Sequence, residues 1–203
     1  LEEGIYLVNA TLTSDKYSCD IAYTLFTVSK VKTPISIDVS GIKVGDMATI
    51  TVTAPVGISN NVTIEVAGKK CNKTVGADGK AVFKVQIMFN GTQTVVASYG
   101  GDNKYMANST TANFTVSKRT SQVNVTVTPS INVGDNATVS VKVPTNATGY
   151  VVVNVGGNNY TINLTNGEGS VEIAGLKNST YKVNVTYLGD DQYLSSINNT
   201  KSI

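Results

Sequence analysis

The stretch Val95-Val-Ala-Ser-Tyr-Gly-Gly-Asp-Asn-Lys-Tyr105 decides the fold, because its pattern returns along the chain. A diverged version closes at Tyr17 and another closes at Tyr193. The closing tyrosines therefore lie 88 residues before and 88 residues after Tyr105. Self-similarity at a fixed period is the signature of a repeat protein. The sequence thus predicts a tandem array built from a unit of about 88 residues.

Two further pieces of the unit recur. The closing strand Phe26-Thr-Val-Ser-Lys30 returns letter for letter, 88 residues later, as Phe114-Thr-Val-Ser-Lys118. An opening turn occurs as Val44-Gly-Asp46 and again as Val133-Gly-Asp135. Each opening turn is followed by alternating polar and apolar residues, which indicates a half-buried strand. The recurring pieces are therefore turns and core positions.

The phase of the repeat predicts three segments. Residues 1–30 are the closing hairpin of a partial unit, residues 31–118 are one whole unit, and residues 119–203 are a second. The junctions are short, and Pro34 stiffens the first, so we expect a semi-rigid rod. We expect the unpaired edges of the first hairpin to pair with another sheet edge or to stay disordered.

Turn residues separate short runs of alternating polarity every 8 to 15 positions within residues 31–118. This spacing is typical of a β-sandwich or barrel. Asp78-Gly79 is predicted to be a hairpin turn. The predicted fold class is all-β, with antiparallel sandwiches of about seven strands each. For the first whole unit the strands are predicted near 35–40, 47–54, 61–67, 70–75, 80–88, 93–99 and 110–117.

The Tyr-x-Gly-Asp-x-x-Tyr pattern at 99–105 and 187–193, together with the Val-Gly-Asp turns, resembles bacterial-type Ig-like repeat domains. The Asn- and Thr-rich character resembles the adhesin-like surface proteins of methanogenic archaea. This resemblance covers the whole chain and implies tandem immunoglobulin-like sandwiches in an extracellular, cell-surface protein. It also implies two kinds of partner: adjacent Ig-like repeats of the same chain, and a host or neighbouring-cell surface protein or glycan. Thr13-Ser14 replaces the glycines in the first copy, which is more diverged.

The residues offer little to catalysis. The chain has no histidine, so Ser-His-Asp and Cys-His pairs and the commonest transition-metal ligand are absent. The acids lie mainly in turns, where Asx-turn bonding explains them; Asp190-Asp191 as part of a calcium site is the weaker alternative. We therefore predict no enzyme, no catalytic residues, no metal and no cofactor.

The charge distribution and the hydropathy of the sequence indicate no further partner. The net charge of +2 is spread over 16 basic and 14 acidic residues without a run, so no nucleic-acid interface is expected. No apolar stretch approaches the roughly 20 residues that span a bilayer, so no membrane contact is expected within this sequence.

Asn-x-Ser/Thr sequons are unusually frequent, and 14 of the 21 asparagines lie in one. Alternation on the exposed face of a strand raises this number by itself, because polar residues then fall at i and i+2. We expect glycosylation of some of these sites, against the alternative of a polar surface that favours solubility. The candidate sites are Asn61, Asn90, Asn108, Asn124, Asn136, Asn146, Asn163, Asn178 and Asn184.

Cys19 and Cys71 are too few for a disulfide framework or a zinc site. The two cysteines form either one disulfide bridge or two free thiols. The bridge is the less favoured alternative, because the two residues belong to different units.

The predicted function is a non-catalytic repeat module of an adhesin-like surface protein, acting as a stalk or a binding unit. The alternative is a carbohydrate- or cell-wall-binding accessory module of a secreted enzyme. Sugar sites usually present aromatic platforms, whereas tryptophan is absent and most tyrosines occupy repeat positions. A binding site would lie in loops such as 55–61 and 144–150, where the copies differ.

Overall fold

The computed structural model describes residues 1–203, and its regular structure consists of strands only. The predicted all-β class is confirmed. In chain order the strands are β1 Gly4–Ala10, β2 Ala22–Val28, β3 Ser36–Val39, β4 Ile42–Lys43, β5 Met47–Thr53, β6 Val62–Val66, β7 Lys69–Lys73, β8 Lys80–Gln86, β9 Gly91–Tyr99, β10 Asn108–Ser117, β11 Asn124–Val127, β12 Ala137–Lys142, β13 Tyr150–Val155, β14 Asn158–Asn163, β15 Glu168–Ile173, β16 Lys182–Tyr187 and β17 Ser196–Ser202.

The chain divides into two compact units that do not follow the sequence repeat residue by residue. The second unit contains the opening turn and one loop of the first whole repeat as well as all of the second whole repeat. The first unit comprises Leu1–Ser40, Met47–Val85 and Thr92–Phe114, and the second comprises Gly41–Asp46, Gln86–Gly91 and Thr115–Ile203. The segment boundaries at 30/31 and 118/119 remain a prediction from the repeat.

Residues 1–30 form a two-stranded antiparallel hairpin, in which β1 pairs with β2 from Gly4 opposite Val28 to Ala10 opposite Ala22. The rings of Tyr6 and Phe26 stack on one face with centroids 5.4 Å apart. Most of the large apolar side chains stay in solvent: Ile5, Leu7, Tyr23 and Leu25 are between 58% and 71% exposed. The two strands have the apolar residues of a sandwich core, but no second sheet packs against them.

Strands β3 to β10 form two sheets, in the orders β4-β10-β9-β6-β7 and β3-β5-β8. All seven strands predicted within residues 31–118 are present, and the two-residue β4 is an addition. The prediction of a hairpin at Asp78-Gly79 was wrong, because β7 and β8 belong to different sheets and this turn carries the chain from one to the other. The hairpin turn lies one connection earlier, between β6 and β7, where Ala67 and Gly68 both have positive φ.

Strands β11 to β17 form the orders β11-β12-β15 and β14-β13-β16-β17. Their inward residues alternate with exposed ones and meet in one apolar core, as predicted for a sandwich. Val139 and Ile173 come from the first sheet, while Val153 and Val185 come from the second, and all four are fully buried. Burying each such side chain stabilises the fold by roughly 1.5–3 kcal/mol.

The structure contains no helix that is long and apolar enough to cross a bilayer.

Candidate functional site

The turn between β9 and β10 is organised by one carboxylate. Asp102 accepts hydrogen bonds from the backbone N–H groups of Lys104 at 2.8 Å and Tyr105 at 2.7 Å, which closes the turn. It also accepts from the backbone N–H of Ser59 at 3.0 Å, from its hydroxyl at 2.9 Å and from the Tyr99 hydroxyl at 2.5 Å. The acid therefore ties its own turn to a loop 43 residues earlier.

The turn between β16 and β17 repeats this chemistry. Asp190 accepts from the backbone N–H groups of Gln192 at 2.8 Å and Tyr193 at 2.7 Å. Its second oxygen accepts from the N–H of Thr148 at 2.7 Å and from its hydroxyl at 3.1 Å. The Tyr187 hydroxyl donates to the Thr148 carbonyl at 3.2 Å. The repeated motif is thus a staple between two loops; we call these two clusters the aspartate staples.

The glycine of the motif is required by space as well as by conformation. Gly101 and Gly189 have φ of +82° and +83°. A Cβ at Gly101 would lie 2.8 Å from the backbone nitrogen of Ala107, and one at Gly189 would lie 2.7 Å from the carbonyl oxygen of Tyr193. Only glycine fits both demands, which accounts for its recurrence.

The pKa values in the first staple describe a neutral donor and an ionised acceptor. Burial raises the pKa of the Tyr99 hydroxyl to about 12, and the neighbouring Asp102 carboxylate acts in the same direction. The hydrogen bond from Tyr99 is the largest cause that lowers the pKa of Asp102, and the N–H of Ser59 adds to it. At neutral pH the pair is a phenol bound to a carboxylate.

In the second staple, too, the tyrosine is neutral and the aspartate is ionised. Burial raises the pKa of Tyr187, and Asp190 adds to the effect. For Asp190, burial alone would raise the pKa, but the N–H donors of Thr148, Tyr193 and Gln192 together outweigh burial, so the pKa is lowered. Both aspartates are therefore ionised, and both accept hydrogen bonds from groups of the turn and of the distant loop.

Ser59 and Thr148 lie in the loops where the sequence placed any binding site. Those loops are both seven residues long and differ in composition, but each presents one hydroxyl residue to the acid of the following hairpin. Sequence reasoning missed this role. The signal that could have found it is the matching separation of 43 and 42 residues between hydroxyl and acid.

No group of three or more Asp, Glu, Cys or His side chains is placed to hold a metal ion. In the Asp190-Asp191 pair, considered above as a calcium site, Asp190 is occupied by the staple. The tyrosines of the staples are core residues, since Tyr99 and Tyr187 are 2% and 0% exposed.

All nine candidate glycosylation asparagines are exposed, but their surroundings differ. Three use their side-chain amide in a hydrogen bond: Asn108 donates to the Thr33 carbonyl at 2.6 Å, Asn90 to the Asp191 carbonyl at 3.1 Å and Asn136 to Glu172 at 3.3 Å. Their amide nitrogens are already engaged by the fold.

The other candidates lie at strand ends, in loops and within one strand. Asn124 begins β11, Asn163 ends β14 and Asn184 lies within β16, whereas Asn61, Asn146 and Asn178 are outside strands. In the Asn146 sequon the hydroxyl of Thr148 belongs to the second staple. Asn178, between β15 and β16, is in an exposed tripeptide whose side chains make no hydrogen bond in the structure.

Both cysteines are free thiols in the structure, Cys19 exposed and Cys71 half-buried in β7.

No protein-family model and no curated protein matches the chain. Among solved structures, it is similar to the fibronectin(III)-like modules of Clostridium thermocellum CbhA, with 13% identity over 81% of this chain and 90% of that chain and a TM-score of 0.35. It is similar to a 1.5-MDa bacterial ice-binding adhesin, with 18% identity, coverages of 84% and 65% and a TM-score of 0.33. It is also similar to a Ca²⁺-stabilized, ice-binding adhesin of an Antarctic bacterium, with 16% identity, coverages of 96% and 55% and a TM-score of 0.34. Because these TM-scores lie below 0.5, the similarities do not bear on the function of this chain.

Proposed function

We propose that this chain is a non-catalytic repeat module of an extracellular, adhesin-like surface protein, in which sandwich domains act as a mechanical stalk. The observation that carries this proposal is the aspartate staple. In both copies of the motif the recurring acid, tyrosine and glycine close a turn and bind it to a distant loop. The residues that the repeat retains therefore serve cohesion of each module.

Cohesion of this kind suits a chain that is pulled from its ends. The staples link segments 43 and 42 residues apart in sequence, so that extension of the closing hairpin must break charge-assisted hydrogen bonds. The exposed, Asn- and Thr-rich faces suit an extracellular surface and offer sites for glycans.

Single-molecule force spectroscopy of the 203-residue chain tests the stalk. We expect two unfolding events, each lengthening the chain by about 30 nm, since a repeat of 88 residues extends by roughly 3.4 Å per residue. A chain carrying both Asp102→Asn and Asp190→Asn should unfold at lower force, whereas the exposed control Asp20→Asn should not. Extension at low force without discrete events would contradict a mechanical role.

A carbohydrate- or cell-wall-binding module is the alternative, and the loops 55–61 and 144–150 are where it would bind. Specific retention of the isolated chain on a glycan array, lost when those loops are exchanged for Gly-Ser segments, would favour binding over spacing. Tyr99 and Tyr187 are buried and are not available as sugar platforms, so the exposed aromatic ring in these loops is Tyr150, at 45% exposure.

A further inference from the structure

The outer face of the β11-β12-β15 sheet has a shallow trough. Side chains that lie opposite one another on the three strands form rows across this face. In one row Lys142 and Glu168 form an ion pair at 2.5 Å, and Asn124 lies beside them. The next row contains only short hydroxyl side chains, those of Thr126, Ser140 and Ser170. A space of about 510 Å³ lies over the short row and against the long one, and we call it the hydroxyl trough.

The polar groups that line the hydroxyl trough are available to a ligand. Apart from the ion pair, none of its polar side chains makes a hydrogen bond within the chain. Each hydroxyl can both donate and accept, and so can the amide of Asn124. The charges of Lys142 and Glu168 offset each other, and no aromatic ring lines the space. This lining suits an uncharged ligand that is rich in hydroxyl groups, which is the chemistry of a sugar.

Asn124 supplies an attachment point for a sugar at the wall of the trough. Asn124-Val-Thr126 is an acceptor sequon, and both its asparagine and its threonine are exposed and line the trough. A sugar joined to the Nδ2 atom of Asn124 therefore begins next to the row of hydroxyls. Because a short covalent link supplies a millimolar effective concentration, hydrogen bonds can hold the sugar there without an aromatic platform.

The corresponding sheet of the first whole repeat, β3-β5-β8, lacks both features. Its first strand begins with Ser36-Ile-Asp38, which is not a sequon. The charged Asp38 and the apolar Val82, which is 39% exposed, lie at the positions of Thr126 and Ser170. The sequon and the complete row of hydroxyls therefore occur together, on the same face of one sheet.

We propose that Asn124 is glycosylated and that the first sugars of its glycan lie in the hydroxyl trough. The donor is an oligosaccharide joined through its C1 atom to the phosphate of a polyprenyl carrier. The bond between C1 and the phosphate oxygen breaks, and the phosphate leaves with the electron pair. A bond forms between C1 and the Nδ2 atom of Asn124, which gives up one proton to a base of the transferase. The attached sugars then hydrogen bond to the row of hydroxyls.

This proposal rests on the extracellular location proposed above, and it does not depend on the mechanical role. A chain without a glycan on Asn124 would still act as a stalk if its domains resist force. A chain with an ordered glycan would still fail as a stalk if it extends without resistance. The measurement of force and the measurement of the glycan therefore fail separately.

Asn184 provides a matched control within the same chain, because Asn184-Val-Thr186 has the same tripeptide sequence. Asn184 is exposed within β16, as Asn124 is at the start of β11. Thr186, however, lies between Val152 and Ile197, so no row of hydroxyls accompanies this sequon. A glycan on Asn184 has no comparable set of groups to bind.

The rate at which the glycans are trimmed from the folded chain tests the proposal. The chain is secreted from a eukaryotic host, whose glycan begins with a pair of N-acetylglucosamines, and is treated with an endoglycosidase that cleaves between them. Peptide mapping by mass spectrometry follows each sequon. We expect trimming at Asn124 to be about 10-fold slower than at Asn184, because hydrogen bonds to the trough hold the first sugars. In proteolytic glycopeptides the two rates should be equal.

A chain with both Ser140→Val and Ser170→Val tests the row of hydroxyls, since valine favours a strand and cannot hydrogen bond. We expect Asn124 to remain glycosylated and its glycan to be trimmed as fast as that of Asn184. Lys142→Ala, at an exposed position, is a second variant and should lose part of the protection. The proposal is overturned if Asn124 carries no glycan, if trimming at Asn124 and Asn184 is equally fast in the folded chain, or if both variants leave the slower trimming unchanged.

Discussion

Phe26-Thr-Val-Ser-Lys30 and Phe114-Thr-Val-Ser-Lys118 are identical pentapeptides in different surroundings. Each pentapeptide contains the end of a strand, β2 or β10, that pairs with the strand before it in a hairpin. Phe114 is 5% exposed and Phe26 is 40% exposed, and the closing tyrosines differ in the same sense, with Tyr105 at 8% and Tyr17 at 73%. Local sequence makes the strand, whereas burial needs a second sheet, which the first hairpin lacks.

The turns of the same two hairpins show what survives without that second sheet. The structure places Ser14 at the position of Asp102, and not at a glycine position as expected from the sequence, because its hydroxyl accepts hydrogen bonds from the N–H groups of Lys16 and Tyr17, both at 3.2 Å. Asp102 makes the two equivalent bonds at 2.8 and 2.7 Å and also binds Ser59. A hydroxyl suffices to close the turn, but the staple to a distant loop needs the second oxygen of a carboxylate.

The largest expected effect comes from truncating the two phenylalanines. Phe114→Ala should destabilise the chain by about 3–5 kcal/mol, because it leaves a cavity in a packed core. Phe26→Ala should cost under about 1 kcal/mol, because its side chain is already 40% exposed. Urea unfolding followed by tyrosine fluorescence measures both. Equal losses of stability would mean that Phe26 is buried in solution, and the difference between the two hairpins would then be contradicted.

A smaller effect is expected from the second staple. Asp190→Asn should lower the stability by about 1 kcal/mol at pH 7, since a partly exposed charge-assisted network is lost. Because the folded pKa of Asp190 is lowered, its contribution is present above the unfolded value of about 3.9 and is lost as pH falls towards the folded value.

The difference between Asp190→Asn and the unsubstituted chain should therefore shrink as pH is lowered from 5 through 3, which thermal unfolding at a series of pH values measures. The adjacent Asp191→Asn is the matched control and should behave as the parent. A difference that is constant over this range would show that the ionised carboxylate is not what holds the turn.

The smallest effect concerns two identical sequons, Asn108-Ser-Thr and Asn178-Ser-Thr. The Asn108 amide donates to the Thr33 carbonyl, while Asn178 is unengaged in a loop. After expression in a glycosylating host, Asn178→Gln should remove one glycan mass without changing stability. Asn108→Gln should leave the glycan mass unchanged and cost about 0.5 kcal/mol. Intact-mass spectrometry and thermal unfolding read both, and a glycan on Asn108 would show that the hydrogen bond does not protect it.

Much of the fold could be predicted from the sequence, because strands and turns have local causes. Alternation of β-branched and polar residues located every strand of residues 31–118 except β4, which has only two residues. The Asp78-Gly79 turn was mistaken for a hairpin because a tight turn has the same residues whether the next strand pairs with its neighbour or crosses to the other sheet. The partner of a strand is a long-range property.

The sequence by itself determined the 88-residue period, the strand positions and the glycines and acids that close the turns, since these depend on a few neighbouring residues. Only the tertiary structure decided that Asp102 reaches Ser59 and Asp190 reaches Thr148. These contacts join residues 43 and 42 positions apart. Their energy comes from burial and from hydrogen bonds made away from water, and neither exists until distant segments have packed together.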